Sequence, residues 1–566
     1  MRSDNMKKSS PANSIFWVIA ICAVFTLAIQ WPSDEASAQT ISVWQSAESG
    51  EWDDASNWLS TAFPNNGQPN AADTYDVQID QTGTPYTVSI SNVDPTNPFG
   101  GSPTKNFTAS TVTLDSPDAT LRIQDGFFGG FDSNSLTVTD ALNVEQGNFN
   151  VQGFGVDLGQ APNFEGNLNQ TGGAVTIFGL VANSTVNQTG GTFSAAGQFS
   201  NVQFNGTLEV TNDLRPADGT QLSGVVNIQR DSGTSGVSLL YEGSGSDPNA
   251  PVQANVGSDV TVNLDAGTFG GSVEASGNIA LTIDPTATIR GFGEVGAEGF
   301  SSGVVEPSII NRGTVVADVE SRTLQVAARS GGGVINQGAL GASNDGILFL
   351  NVSSGTFVQQ SGQLFVDEGT ITASVILDIQ GGEVAGNGTI DVNPNGSGGG
   401  ILIGGTLTPG LNGAGQLIVE GSLELTDLAT SKFQLGGVDA GATSNGYDVV
   451  TVQGELQLAG NLEIDLIDGF EDSILSTDSF TVFNLDPSGD AFLAGAFANV
   501  ANGGFLQTID NDFQFQVNYG VDSQFDPDQV VLSNFSPIAV PEPSASILLC
   551  TIATLLTLRR HRQNTC

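Results

Sequence analysis

The sequence predicts an all-β protein whose body is a stack of short β-coils, and three observations carry that prediction. Short alternating runs such as Thr111-Val112-Thr113-Leu114, Leu136-Thr137-Val138, Leu142-Asn143-Val144 and Phe149-Asn150-Val151 recur between Gly, Asn, Asp and Ser. Alternation at period two sends successive side chains to opposite faces, and the intervening residues supply turns. Second, Leu168-Asn169-Gln170-Thr171-Gly172-Gly173 returns as Val186-Asn187-Gln188-Thr189-Gly190-Gly191, with a looser echo at Val358-Gln359-Gln360-Ser361-Gly362. A repeated strand followed by a glycine turn is the unit of a solenoid, each coil burying its apolar face on the next. Asn and Gln at equivalent positions then predict hydrogen-bonded ladders along the stack. Third, Gly is abundant, 72 of 566 residues, without a collagen period, while Val, Ile, Leu, Phe and Thr run throughout. That is the composition of a folded β-rich chain rather than a disordered one.

Residues 1–38 read as a secretory signal peptide. Arg2, Lys7 and Lys8 precede an apolar run from Ile15 to Ile29, and Ala36-Ser37-Ala38 supplies the small-residue cleavage pattern before Gln39. Residues 39–109 form an opening module with Trp44, Trp52 and Trp58, three of the five tryptophans of the chain, followed by Pro64, Pro69, Asp73 and the alternating Tyr75, Val77 and Ile79. Two readings of the tryptophans stand side by side. They are the apolar core of a cap that closes the end of the stack, the favoured reading, or a platform whose indole faces contact carbohydrate.

Residues 110–425 are assigned to the solenoid. Within them, Gly291-Phe292-Gly293-Glu294-Val295-Gly296 spells G-x-G-x-x-G, but Ala297-Glu298-Gly299-Phe300-Ser301-Ser302-Gly303 is a poor helix, and a pyrophosphate needs a helix N-terminus there. Further strand-and-turn phrases are Ile309-Ile310-Asn311-Arg312-Gly313-Thr314-Val315 and Val384-Ala385-Gly386-Asn387-Gly388-Thr389-Ile390. Together with the Gly-x-Trp and Asn-Trp phrases of the opening module, these resemble autotransporter-type passenger domains. The resemblance implies a right-handed parallel β-helix. Residues 426–538 carry longer strands, among them Tyr447 to Val452, Asn461 to Leu466 and Phe513 to Val517, and are expected to be a terminal β-module, either a sandwich or the closing coils of the solenoid.

Residues 539–566 have three parts: Val540-Pro541-Glu542-Pro543, an apolar run from Ser544 to Leu558, and Arg559-Arg560-His561-Arg562. The prolines keep an extended, accessible segment, the apolar run inserts as a short transmembrane segment, and the arginines stay on the cytoplasmic side. This arrangement resembles the PEP-CTERM sorting signal of bacterial surface and exopolysaccharide-associated proteins. The resemblance implies recognition by an exosortase in the membrane, with Val540, Pro541, Glu542, Pro543, Arg559, Arg560 and Arg562 as the sorting residues.

The chemistry of the body is bounded by what its composition lacks. The three cysteines, Cys22, Cys550 and Cys566, and the one histidine, His561, all fall in the terminal segments. Residues 39–538 therefore offer no disulfide, no Cys/His zinc site and no histidine general base. The chain has 15 Lys and Arg against 60 Asp and Glu, a formal charge of −45. Such a surface repels nucleic acid and favours neutral polymers, cations and cationic surfaces. Asp465, Asp468, Glu471 and Asp472 are the densest carboxylate group and the candidate calcium ligands; Asp522, Asp526 and Asp528 come second. Paired carboxylates also serve glycoside hydrolases and lyases, but neither cluster holds a Lys or Arg in sequence. The expected function is non-enzymatic: a secreted structural or adhesive component of the cell surface or extracellular matrix. A carbohydrate-binding surface protein, with exopolysaccharide as partner, is the alternative, and a β-helix polysaccharide lyase or hydrolase the less favoured one.

Overall fold

A computed structural model describes residues 39–538, apart from 92–102, 126–133, 153–162, 218, 232–236, 243–253, 277–278, 299–306, 353–354, 393–398, 443–444 and 487–491. The chain is an all-β stack of parallel coils, arranged as a 34-stranded sheet and a separate 10-stranded sheet. Among the described residues the helical elements are two 3-10 turns, Ala55–Asn57 and Phe470–Asp472.

The alternation seen in the sequence becomes rows of inward side chains. Val77, Val112, Leu142, Leu168, Val186, Phe204 and Leu222 occupy equivalent positions in successive coils and are all buried. A second row, Val88, Leu121, Phe149, Val175 and Phe193, lines the opposite face. Each such side chain contributes about 1.5–3 kcal/mol by leaving water, and each shields the next, so burial is spread along the stack rather than gathered at one centre.

Glycine at the turns permits that close stacking. Gly147, Gly173 and Gly191 all have positive φ, and a Cβ on Gly173 or Gly191 would run into the carbonyl oxygen of the glycine one coil earlier. The repeated Gln-Thr-Gly-Gly phrase is therefore a steric requirement of the coil. The same reasoning accounts for the G-x-G-x-x-G match. Thr288–Gly291 and Gly293–Glu298 are strands, and a Cβ on Gly293, at φ 129°, would strike the Gly271 carbonyl. These glycines admit a neighbouring coil.

The parallel ladder begins earlier than residue 110. Gln39–Val43 pairs in parallel with Thr74–Ile79, which pairs with Asn106–Leu114, so the tryptophan module is itself the first coils of the stack. It also runs past 425: Thr430–Leu435 pairs in parallel with Asn461–Leu466. Two arrangements follow one another in 426–538. Closing coils come first, then an antiparallel sheet in which Phe480–Leu485 and Phe513–Tyr519 both pair with Gln529–Pro537.

The coils change size along the stack. Between Asn169 and Asn227 the repeat is 18 residues, carried on bent strands such as Ala174–Gln188. From Ala254–Val256 onward each coil adds a short strand to the 10-stranded sheet, and the repeat becomes 25 residues between Asn311 and Asn336 and 23 between Asn336 and Gln359. A two-faced stack is thereby joined to a three-faced one.

Candidate binding surface

The three tryptophans are core, which corrects the carbohydrate-platform reading. Trp44, Trp52 and Trp58 are exposed by 1%, 0% and 1%. Trp44 and Trp58 meet edge to face at 4.9 Å, Trp52 and Trp58 at 5.1 Å, and Trp52 stacks on Phe107 at 6.1 Å. Every indole N–H is used internally: Trp52 donates to the Pro64 carbonyl at 2.9 Å, Trp58 to the Trp52 carbonyl at 2.8 Å and Trp44 to the Glu48 carbonyl at 3.2 Å. With faces covered and N–H groups satisfied, none offers a surface to a sugar. Lys105 ties this module to the next coil through ion pairs at 3.0 Å to both Glu51 and Asp53. Burial alone would lower its ammonium, but those two carboxylates outweigh burial and hold it above the ordinary lysine value.

The candidate calcium ligands are not assembled into a site. Asp465 is ion-paired at 3.0 Å with Lys432, which the preceding coil brings to it although no base lies nearby in sequence. Asp468 sits in a left-handed turn ahead of the 3-10 turn that carries Glu471 and Asp472. Asp526 accepts the backbone N–H of Asp528 at 3.1 Å. No group of three or more His, Cys, Asp or Glu side chains able to hold a metal ion forms among the described residues.

A carboxylate that the sequence did not single out is Asp448. It is fully buried, its Oδ1 accepting the Gly415 N–H at 2.7 Å and its Oδ2 the Gln434 N–H at 2.6 Å, so one side chain pins two coils. Burial pushes its carboxyl up to about 8, against the opposing pull of those two N–H groups and of Lys432.

The amide ladders form, in buried and exposed versions. Asn311 donates to Asn336 at 2.9 Å, Asn336 to Gln359 at 2.9 Å, and Gln359 to the Glu383 carbonyl at 2.9 Å, all inside the stack. One residue further along each coil, Arg312 donates to Gln337 at 3.1 Å and Gln337 to Gln360 at 2.8 Å on the surface. A second row, Asn143, Asn169, Asn187, Asn205 and Ser223, is placed by register at one-coil intervals and reaches the 18-residue spacing from Asn169 onward; Asn187 and Asn205 are exposed and the other three half-buried. Asn169 donates to Asn143 at 3.1 Å and Asn187 to Asn169 at 3.3 Å.

That row ends in a groove of about 620 Å³, at the step where the two-faced stack meets the three-faced one. One wall is the short coils, with Thr185, Gln203, Asn205 and Gln221; the other is Tyr241, Asn255, Ser258, Asp259 and Asp284. Sequence reasoning missed this groove, because it is made by a change of coil length and not by a motif. The signal was present in the loss of the 18-residue repeat after Ser223.

The expected signal cleavage residues Ala36 and Ala38, and the sorting residues Val540, Pro541, Glu542, Pro543, Arg559, Arg560 and Arg562, lie outside the described residues; Gln39 is the first residue of the first strand. Among the described residues no helix is long and apolar enough to cross a membrane. The chain matches no protein-family model, and no curated protein is similar to it.

Proposed function

We propose that this is an exported, surface-sorted, non-enzymatic β-solenoid that serves as a structural or adhesive component of the cell envelope or extracellular matrix. The observation that supports this reading most is the repetition of exposed amide and hydroxyl side chains at coil intervals along one continuous stack. Equivalent groups repeated along an axis offer many weak contacts to a polymer, and such contacts combine through avidity. We take the coil as right-handed, the hand that parallel crossover connections adopt almost always. Residues 39–538 hold no His and no Cys and few cations, which favours a scaffold over a lyase or hydrolase. Export rests on the Ala36-Ser37-Ala38 pattern, and sorting on Pro541-Glu542-Pro543 with Arg559, Arg560 and Arg562.

Replacing Pro541, Glu542 and Pro543 together by Ala tests the address. In cells carrying an exosortase, the wild-type chain is expected to lose its C-terminal tail and become accessible to protease added outside. The variant is expected to stay in the membrane fraction with its tail intact. Identical fractionation and tail processing of the two would remove the sorting reading.

A further inference from the structure

We propose that the groove at the step between the two coil types is a binding site for a neutral polysaccharide strand that lies along the stack axis. The inference deepens the adhesive reading by naming a ligand class, and its test is independent of how the protein is sorted.

The argument begins with hydrogen-bonding capacity left unused. The side chains of Thr185 and Gln221 make no hydrogen bond within the described residues, and neither does the Tyr241 hydroxyl. Gln203 spends its N–H on the Gly219 carbonyl at 3.1 Å and keeps its oxygen. Thr185, Gln203 and Gln221 are register partners in three consecutive coils, and all three are exposed. Coils stack about 4.8 Å apart, close to the length of one sugar unit, so the row presents the same kind of group to successive sugars. Amides and hydroxyls both donate and accept, which suits vicinal sugar hydroxyls.

The far wall sets the selectivity. Asp284 already accepts from Asn255 at 3.1 Å and Ser258 at 3.4 Å, which orients its carboxylate beside Asp259 at the groove. Two carboxylates with no lysine or arginine among the lining residues accept from hydroxyls and repel a uronate or sulfated chain. The partly buried Tyr241 adds an aromatic edge with a polar tip. Because the groove groups are well hydrated when empty, each exchanged hydrogen bond gains little, and affinity for a short oligomer is expected near the millimolar range.

Isothermal titration of the full-length protein with cellohexaose, maltohexaose and a guluronate hexamer tests the site. Asn205→Trp fills the groove from an exposed position, Gln221→Ala removes one rung without adding bulk, and Thr211→Trp puts the same bulk on the same strand outside the groove lining. Wild type and T211W are expected to bind at least one neutral hexamer, N205W about tenfold or more weaker and Q221A severalfold weaker, all with unchanged circular dichroism. Three results would each overturn the proposal: no binding of either neutral hexamer, preference for guluronate, or wild-type affinity in both N205W and Q221A.

Discussion

Asp448 shows how one side chain couples stability to pH. Its folded value of about 8 lies above the ordinary carboxyl value of 3.8, so the native state holds the proton more tightly than the unfolded chain. The resulting stabilisation is complete below about pH 4 and is lost as pH rises toward 8. Asp448→Asn cannot ionise, and its amide N–H₂ must face one of the two N–H donors, from Gly415 or Gln434, that the carboxyl accepts. At pH 4.5 the variant is therefore expected to be about 1–3 kcal/mol less stable than wild type, with the gap narrowing toward pH 8 as wild type loses its advantage. Denaturant unfolding at both pH values measures this; a constant gap would show that Asp448 does not titrate in that range. Trp52 makes a second residue-scale case. Fully buried, edge to face with Trp58 and stacked on Phe107, it should cost about 3–5 kcal/mol when replaced by Ala, read as a loss of stability in the first coils.

At the scale of the element, the coil was legible in the sequence and its joints were not. Strand alternation at Thr111 to Leu114 and the Gln-Thr-Gly-Gly phrase mark the inward row and the turn, because both follow from local sterics. The amide ladders were legible for the same reason: Asn169 and Asn187 stand at equivalent positions of a visible repeat. Burial of the tryptophans was open in the sequence, since clustered indoles suit a core or a ligand equally until the Pro64 and Trp52 carbonyls that satisfy them are known. The groove and the Lys432–Asp465 ion pair depend on which residues the stacking brings together across coils, which no local pattern encodes. The buried ladder is itself open to test. Asn336→Leu leaves the Gln359 amide oxygen without its donor and the Asn311 amide without one acceptor. It is expected to cost about 1–3 kcal/mol, whereas Gln337→Leu, on the exposed ladder one residue away, is expected to stay within about 0.5 kcal/mol.

At the scale of the molecule, a stack in which each coil touches only its neighbours should not unfold as one unit. Coupling in such a chain is nearest-neighbour, so a weakened coil lowers its own surroundings more than the distant end. The protein carries a built-in probe of this, because Trp44, Trp52 and Trp58 all sit in the first coils. With Trp17 and Trp31 replaced by Phe, indole emission reports the N-terminal end alone, while far-ultraviolet circular dichroism reports the entire stack. Phe433, fully buried against Phe483 at 5.0 Å near the other end, supplies the perturbation, and Phe433→Ala should remove about 3–5 kcal/mol locally. The dichroism transition is then expected to broaden and shift to lower denaturant while the tryptophan transition stays in place. If both probes move together by the same amount, the coils form one cooperative unit and the nearest-neighbour account of the stack fails.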